Sequence, residues 1–117
     1  MRNNPLESIK TTADFKKVYK LGKVASNGFF AVYAYPNGKN SARLGLSIGK
    51  KVGKAIVRNK LRRWIKEYFR LNKHMLPGAD IVVVAKSKAK ELVIAGKFAL
   101  VELNMLNLLK RLAWVEL

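Results

Sequence analysis

From Lys50 to Lys73 the chain holds ten lysines and arginines and a single acid, Glu67. No other stretch constrains the fold as much, because the same residues also carry the apolar period of a helix. At about 100° per residue, Val57, Leu61, Trp64, Ile65 and Tyr68 fall on one arc, which must meet a core. Arg58, Arg62, Lys66, Arg70 and Lys73 fill the neighbouring arc, with Asn59 and Arg63 at its far edge. This spacing predicts a helix from Lys54 to Asn72, bound to a core on one side. A solvated helix face normally mixes both signs of charge. Here the signs are not mixed.

The whole chain repeats that imbalance. It has 24 Lys and Arg against seven Asp and Glu in 117 residues, a net charge of +17. Like charges at this density repel one another in the compact state. A polyanion relieves the repulsion, and nucleic acid is the commonest one. An anionic membrane surface is the rival, weakened here because the apolar arc of the helix is claimed by a core. Half of the residues are hydrophobic, enough to exclude wholesale disorder. The length suits one domain, 1–117. With no cysteine in the chain, disulfides, thiolate metal sites and a cysteine nucleophile are excluded together. No apolar run approaches a membrane span. Met1-Arg2-Asn3-Asn4-Pro5 lacks the apolar stretch of a signal peptide, so the expected compartment is the cytoplasm.

Other elements are read from pattern. Thr11-Thr12-Ala13-Asp14 resembles a capping box, and Phe15, Val18 and Tyr19 follow at helical spacing until Gly22 stops the helix. Phe29 to Tyr35 is aromatic and β-branched, hence a strand. Pro36-Asn37-Gly38 signals a turn. Leu44, Leu46 and Ile48 then alternate with Arg43, Gly45 and Ser47, a half-buried strand. The two strands are expected to form an antiparallel hairpin. Asp80 to Ala85 follows Pro77-Gly78 as a buried strand. Residues Ser87 to Gly96 admit a short helix. Phe98, Val101, Met105, Leu108, Leu109, Leu112 and Val115 mark a last helix. The order α-β-β-α-β-α is that of an α+β sandwich, with helices against one small sheet.

Gly49-Lys50-Lys51-Val52-Gly53-Lys54 puts two glycines and three lysines where a strand enters the basic helix. Free N–H groups and a positive dipole end favour phosphate there. The spacing is not that of a nucleotide-binding P-loop, so the expectation is contact with a polynucleotide backbone, against a plain tight turn. The acids Glu7, Asp14, Glu67, Asp80, Glu91, Glu102 and Glu116 are scattered, with no close pair for acid–base or two-metal chemistry. His74 stands alone at a helix end. No nucleophile with its base is visible, so no catalytic residue is assigned.

The run Lys50-Lys51-Val52-Gly53-Lys54-Ala55-Ile56-Val57-Arg58-Asn59-Lys60-Leu61-Arg62-Arg63 closely resembles the signature of the bacterial ribonuclease P protein subunit, usually K-K-x-G-x-A-x-x-R-N-R-x-K-R. Lys60 replaces the second Arg of R-N-R, Arg62 stands where Lys is common, and Gly49 replaces a frequent Ser. The first swap keeps the charge but not the planar, bidentate reach of Arg. Resemblance extends to Asp14-Phe15, Val18-Tyr19 and Gly22, to Arg43-Leu44-Gly45-Leu46-Ser47, and to Asp80-Ile81-Val82. It spans about residues 7 to 112.

This resemblance implies a central mixed sheet of about four strands, and a left-handed crossover between parallel strands through the basic helix, against the usual hand. It implies a partner RNA, one protein per RNA, that carries the catalytic magnesium ions. The holoenzyme would hydrolyse precursor tRNA, freeing the 5′ leader and leaving a 5′-phosphate on the mature end. RNA-binding positions would be Lys50, Lys51, Lys54, Arg58, Asn59, Lys60, Arg62, Arg63, Lys66 and Arg70. Phe15 and Tyr19, four residues apart, share a helix face. Tyr33 lies on one side of its strand, and Ser47 points opposite to Leu46 and Ile48. Aromatic rings beside cations hold single-stranded RNA, and matching positions line the family's leader cleft. Phe15, Tyr19, Tyr33, Ser47 and Arg58 are therefore expected to form that cleft, with the basic helix as its other wall. Core packing is the plain alternative for the rings. A general RNA-binding structural protein, ribosomal or chaperone-like, is the alternative for the chain.

Overall fold

The computed structural model describes residues 6–112. Their elements are β1 (Glu7–Ser8), α1 (Thr12–Leu21), β2 (Lys23–Ser26), β3 (Phe30–Pro36), β4 (Arg43–Ser47), α2 (Ala55–Leu71), β5 (Ala79–Ala85), α3 (Ala89–Ile94) and α4 (Phe98–Arg111). Short 3-10 turns at Lys50–Val52 and Lys73–Met75 bracket α2. The fold is α+β, as expected. Val115, counted with the last helix, and the first five residues, read for a signal peptide, lie outside the described residues. Among the described residues, no helix is long and apolar enough to cross a membrane.

The strands form one mixed sheet in the order β1-β4-β5-β3-β2. It has five strands, one more than expected, because the two-residue β1 adds a parallel edge beside β4. The expected hairpin of β3 with β4 does not form. β5 lies between them, antiparallel to β3 and parallel to β4. The hairpin that does form joins β3 to β2, a strand with one buried residue, Ala25, and so without a readable pattern. Burial explains β5's place: Ile81, Val82 and Val83 are all buried, and a strand apolar on both faces belongs in the centre of a sheet.

The Pro36-Asn37-Gly38 turn exists but serves a different purpose, carrying the chain past the end of β5. The Asn37 backbone N–H donates to the Gly78 carbonyl at 3.1 Å, and its Nδ2 donates to the Ser41 carbonyl and to Asp80 Oδ1. Gly78 is required there, since a Cβ would come within 1.8 Å of the Lys39 carbonyl oxygen. β4 and β5 are then joined through α2, the parallel crossover that two like-directed neighbours need.

Period-two alternation divides the sheet between two layers. Leu44, Leu46, Ile81, Val83, Val32 and Ala34 meet α2, α3 and α4 in the main core. The opposite face carries Val82, Val84, Tyr33 and Tyr35, with α1 upon it through Phe15 and Val18. The basic helix gives Leu61, Ile65, Tyr68 and Phe69 to the main core as buried residues, with Val57 and Trp64 partly buried beside them. Its apolar arc therefore faces the sheet, as the spacing predicts.

Candidate nucleic-acid interface

α2 begins with no side-chain cap at Lys54, so its first N–H groups stay open to an anion. The chain enters through Gly53 at φ 140°, a conformation that L side chains rarely adopt. A Cβ there would also press on Val57 at 3.2 Å and meet Lys90 Cδ at 3.4 Å. This close approach brings Lys90 of α3 beside Gly53 at the helix entry, a cation that the sequence pattern did not reveal because it lies far along the chain. Lys50, Lys51, Lys54, Asn59, Arg63, Lys66 and Arg70 are exposed, and Arg58, Lys60 and Arg62 are partly so. All ten positions thus stand on or beside one cationic helix.

Local bonds hold several of these cations in place. Arg58 Nε donates to the Gly53 carbonyl at 3.0 Å, which ties the first turn's guanidinium to the helix entry. Arg62 Nη1 donates to Asn59 Oδ1 at 2.7 Å. Arg70 holds Glu67 with two bonds, of 3.1 and 2.7 Å. Hydrogen bonding from Arg70 keeps the Glu67 carboxyl below the usual carboxylate range. The one acid of the segment is therefore already neutralised.

Across the sheet, α1 builds a different surface. Thr11 caps the helix by accepting from the Asp14 backbone N–H at 3.0 Å. The Asp14 carboxylate does not return the bond; it accepts from Arg43 Nη2 at 3.3 Å. Arg43 also donates to Asp80, through Nε at 2.8 Å and Nη2 at 2.5 Å. Burial pushes the Asp80 carboxyl up, but bonds from Arg43 and Asn37 outweigh it and leave it below the usual range. Hydrogen bonding to Asp80 likewise raises Arg43 further above its ordinary value. This ion pair pins α1 to β4 and β5. The signal for it was present: Arg43 is charged on the polar side of an alternating strand, and Asp80 heads an apolar one.

Beside that pin, Phe15 and Tyr19 lie along α1 with centroids 6.4 Å apart and planes tilted by 41°, and Tyr19 meets Tyr33 edge-on at 5.0 Å. Tyr19 is 38% exposed, and Phe15 and Tyr33 are partly buried. Gly45 makes the arrangement possible, because a Cβ there would lie 2.6 Å from Phe15 Cζ. Ser47 pairs with Val84, which places it on the same face, two residues beyond Gly45. Four of the five expected cleft residues are thus brought to one face. Arg58 is not joined to them: among the described residues, no ring stacking or hydrogen bond links it to the three aromatics. It stands on the helix packed against the other side of the sheet.

Fold and surface define a class: a one-sheet α+β protein with a cationic helix on one layer and an open aromatic cluster on the other. The family model described as Ribonuclease P matches residues 4–113. The chain is 41% identical over 110 residues to the ribonuclease P protein component of Clostridioides difficile strain 630, covering 92% of this chain and 93% of the relative. Against that of Thermotoga maritima it is 42% identical over 107 residues, covering 91% and 92%. The solved ribonuclease P protein of Thermotoga maritima superposes with a TM-score of 0.81 at 42% identity, over 90% of this chain and 96% of that one. The Staphylococcus aureus protein gives 0.80 at 36% identity, over 88% and 92%. This chain belongs to the ribonuclease P protein family, the protein component of an endoribonuclease that matures tRNA.

Proposed function

We propose that the protein binds a ribonuclease P RNA through the cationic side of α2 and receives the 5′ leader of precursor tRNA on the α1 face. Lys50, Lys51 and Lys54, with the open N-terminus of α2, contact phosphate. Arg58, Asn59, Lys60, Arg62, Arg63, Lys66 and Arg70 extend that contact along the helix. Phe15, Tyr19 and Tyr33 stack leader bases, and Ser47 offers a hydroxyl to the strand. The complex contains one protein per RNA, works in the cytoplasm and hydrolyses the leader from the mature tRNA 5′ end.

The observation that carries this reading is the cluster of Phe15, Tyr19 and Tyr33. Its rings stay partly open, and stacking is the sequence-tolerant way to hold a single strand.

Among the described residues, no cluster of acidic or histidine side chains fits a magnesium site of the protein's own. Magnesium takes one or two carboxylates with substrate phosphates, whereas Asp14 and Asp80 share Arg43 and Glu67 is held by Arg70. This reading assigns the magnesium to the RNA and substrate, as the family resemblance implies, and no chemical step to the polypeptide.

The test is reconstitution with a bacterial ribonuclease P RNA at low magnesium. Precursor tRNA is expected to be cut at the mature 5′ end by the complex, and not by RNA-free protein. Phe15→Ala or Tyr33→Ala, shown folded by circular dichroism, should weaken binding of precursor tRNA by about 5- to 150-fold, the worth of one base stack, and leave mature tRNA unchanged. Equal losses for both RNAs would make the rings structural and overturn the leader assignment.

A further inference from the structure

A second aromatic site lies on the other layer of the molecule, between α2 and the start of α4. Trp64 and Phe98 meet at 5.4 Å with their planes at 60°. With Arg63 and Glu67 they line a shallow dish of about 360 Å³. Both rings are partly buried and partly open. Pure core packing would have closed over them, since Phe69 and Leu61 on the same helix are fully buried.

Charge decides what such a dish accepts. Arg63 is exposed at its wall, and Lys97, immediately before Phe98, is exposed too. Glu67, the acid in its lining, is held by Arg70 through two bonds, and Glu102, one turn beyond Phe98, acts on Tyr68; with Lys60, Arg63 and Lys97 close by, the surroundings stay net positive. Lys60 Nζ lies 5.4 Å from the Trp64 ring centroid, an exposed cation–π contact that is weaker than base stacking. A phosphate can therefore draw this ammonium off the ring as a base arrives. An apolar peptide would gain nothing from these cations. An unpaired nucleotide uses both parts, its base on the rings and its phosphate on the cations.

We propose that the Trp64–Phe98 dish is a stacking subsite for one unpaired nucleotide of the partner RNA, with Arg63 and Lys60 on its phosphate. The nucleotide comes from the ribonuclease P RNA and not from the leader, because α2 and α4 pack on the sheet face opposite the one that carries Phe15 and Tyr33. The proposal rests on the reading that this chain binds that RNA, and adds base recognition to a surface so far assigned only to phosphate.

Tryptophan fluorescence tests it. The chain has two tryptophans, Trp64 and Trp114, so Trp114→Phe leaves Trp64 as the only reporter in the full chain. Adding a bacterial ribonuclease P RNA should quench Trp64 emission at the stoichiometric point and shield it from acrylamide. Precursor tRNA alone should leave it unchanged. Arg63→Gln on the exposed wall, and Phe98→Leu, which keeps apolar volume, should each weaken binding of that RNA by roughly tenfold. Tight RNA binding with unchanged Trp64 emission would overturn the subsite and leave the proposed function standing. Quenching by precursor tRNA alone would assign the dish to substrate and overturn the stated source. An emission change that follows protein concentration without RNA would mark self-association, and would also overturn it. If the unaltered chain fails to bind the RNA at all, the proposed function falls and the subsite falls with it.

Discussion

On one face of the sheet, α2, α3 and α4 bury Leu61, Ile65, Phe69, Met105 and Leu108 completely. On the other, α1, with Ile9 just before it, seals Val18 over Val82 and leaves Tyr19 and its neighbouring rings partly open. Burial of apolar area is what holds a domain of this size together, so the first layer supplies most of the stability. The thin layer is held differently, by the Arg43–Asp80 and Arg43–Asp14 pairs and by one close fit of Phe15 against Gly45. A surface meant to stack bases must keep ring faces uncovered. Polar pins let α1 stay in place without burying them.

Breaking the thick layer should have the largest effect. Phe69→Ala leaves a cavity in the main core and is expected to cost about 3–5 kcal/mol in urea unfolding. Val18→Ala, on the thin layer, should cost about 2 kcal/mol by the same measure. Equal losses would show that the two layers contribute alike.

Cutting the polar pin comes next. Asp80→Asn removes Arg43's closer charge partner and leaves only the 3.3 Å pair with Asp14, while Arg43's side chain is only 18% exposed. A buried pair broken on one side costs about 3–5 kcal/mol, and residual exposure of Arg43 brings the expectation to roughly 2 kcal/mol. The pair also sets a pH dependence. The Asp80 carboxyl lies lower in the folded chain than its ordinary value, so the unfolded chain takes up the proton first. The stabilisation is complete above the ordinary aspartate range, about pH 4, and is lost as the pH falls through the folded value. Urea titrations from neutral to acid pH should show this loss in the native chain and a shallower one in Asp80→Asn.

A smaller change sharpens the comparison within the thin layer. Gly45→Ala should push the Phe15 ring out of its seat at a cost of about 1–2 kcal/mol. Affinity for precursor tRNA should fall with it, while affinity for mature tRNA holds. An unchanged leader preference would separate the ring's position from recognition.

The mildest effects belong to the exposed cations of α2. Arg58→Ala should flatten the salt dependence of RNA binding by about one unit of slope, the share of a single neutralised phosphate. Glu67→Gln releases Arg70 and should change the slope by less than about half a unit. Filter binding across a salt series measures both. Identical slopes for the native chain and Arg58→Ala would remove Arg58 from the groups that touch phosphate.

Local pattern determined much of this molecule. The bounds of α1 and α2, the stop at Gly22, the segregation of cations from the apolar arc and the inward side of β4 all follow from periods and caps within a few residues. Those interactions act between neighbours, so the sequence displays them directly. Phe15 and Tyr19 were legible as one helix face, and Tyr33 as one side of its strand, for the same reason, but only the family resemblance suggested that the three share a surface. Strand order was not legible. The turn at Pro36-Asn37-Gly38 is a local signal, but the choice of β5 over β3 as partner for β4 depends on which strand is apolar on both faces. That is a competition between segments about 35 residues apart. β1 and β2 escaped because two residues, or four with one buried, carry no period. The sequence marked Arg43 and Asp80 as charges out of pattern, but tertiary structure alone decided that they pair, that Lys90 reaches the entry of α2, and that Phe15 needs Gly45 beneath it. Each of these depends on distance in space, which becomes defined only when the sheet has assembled and its two layers have closed.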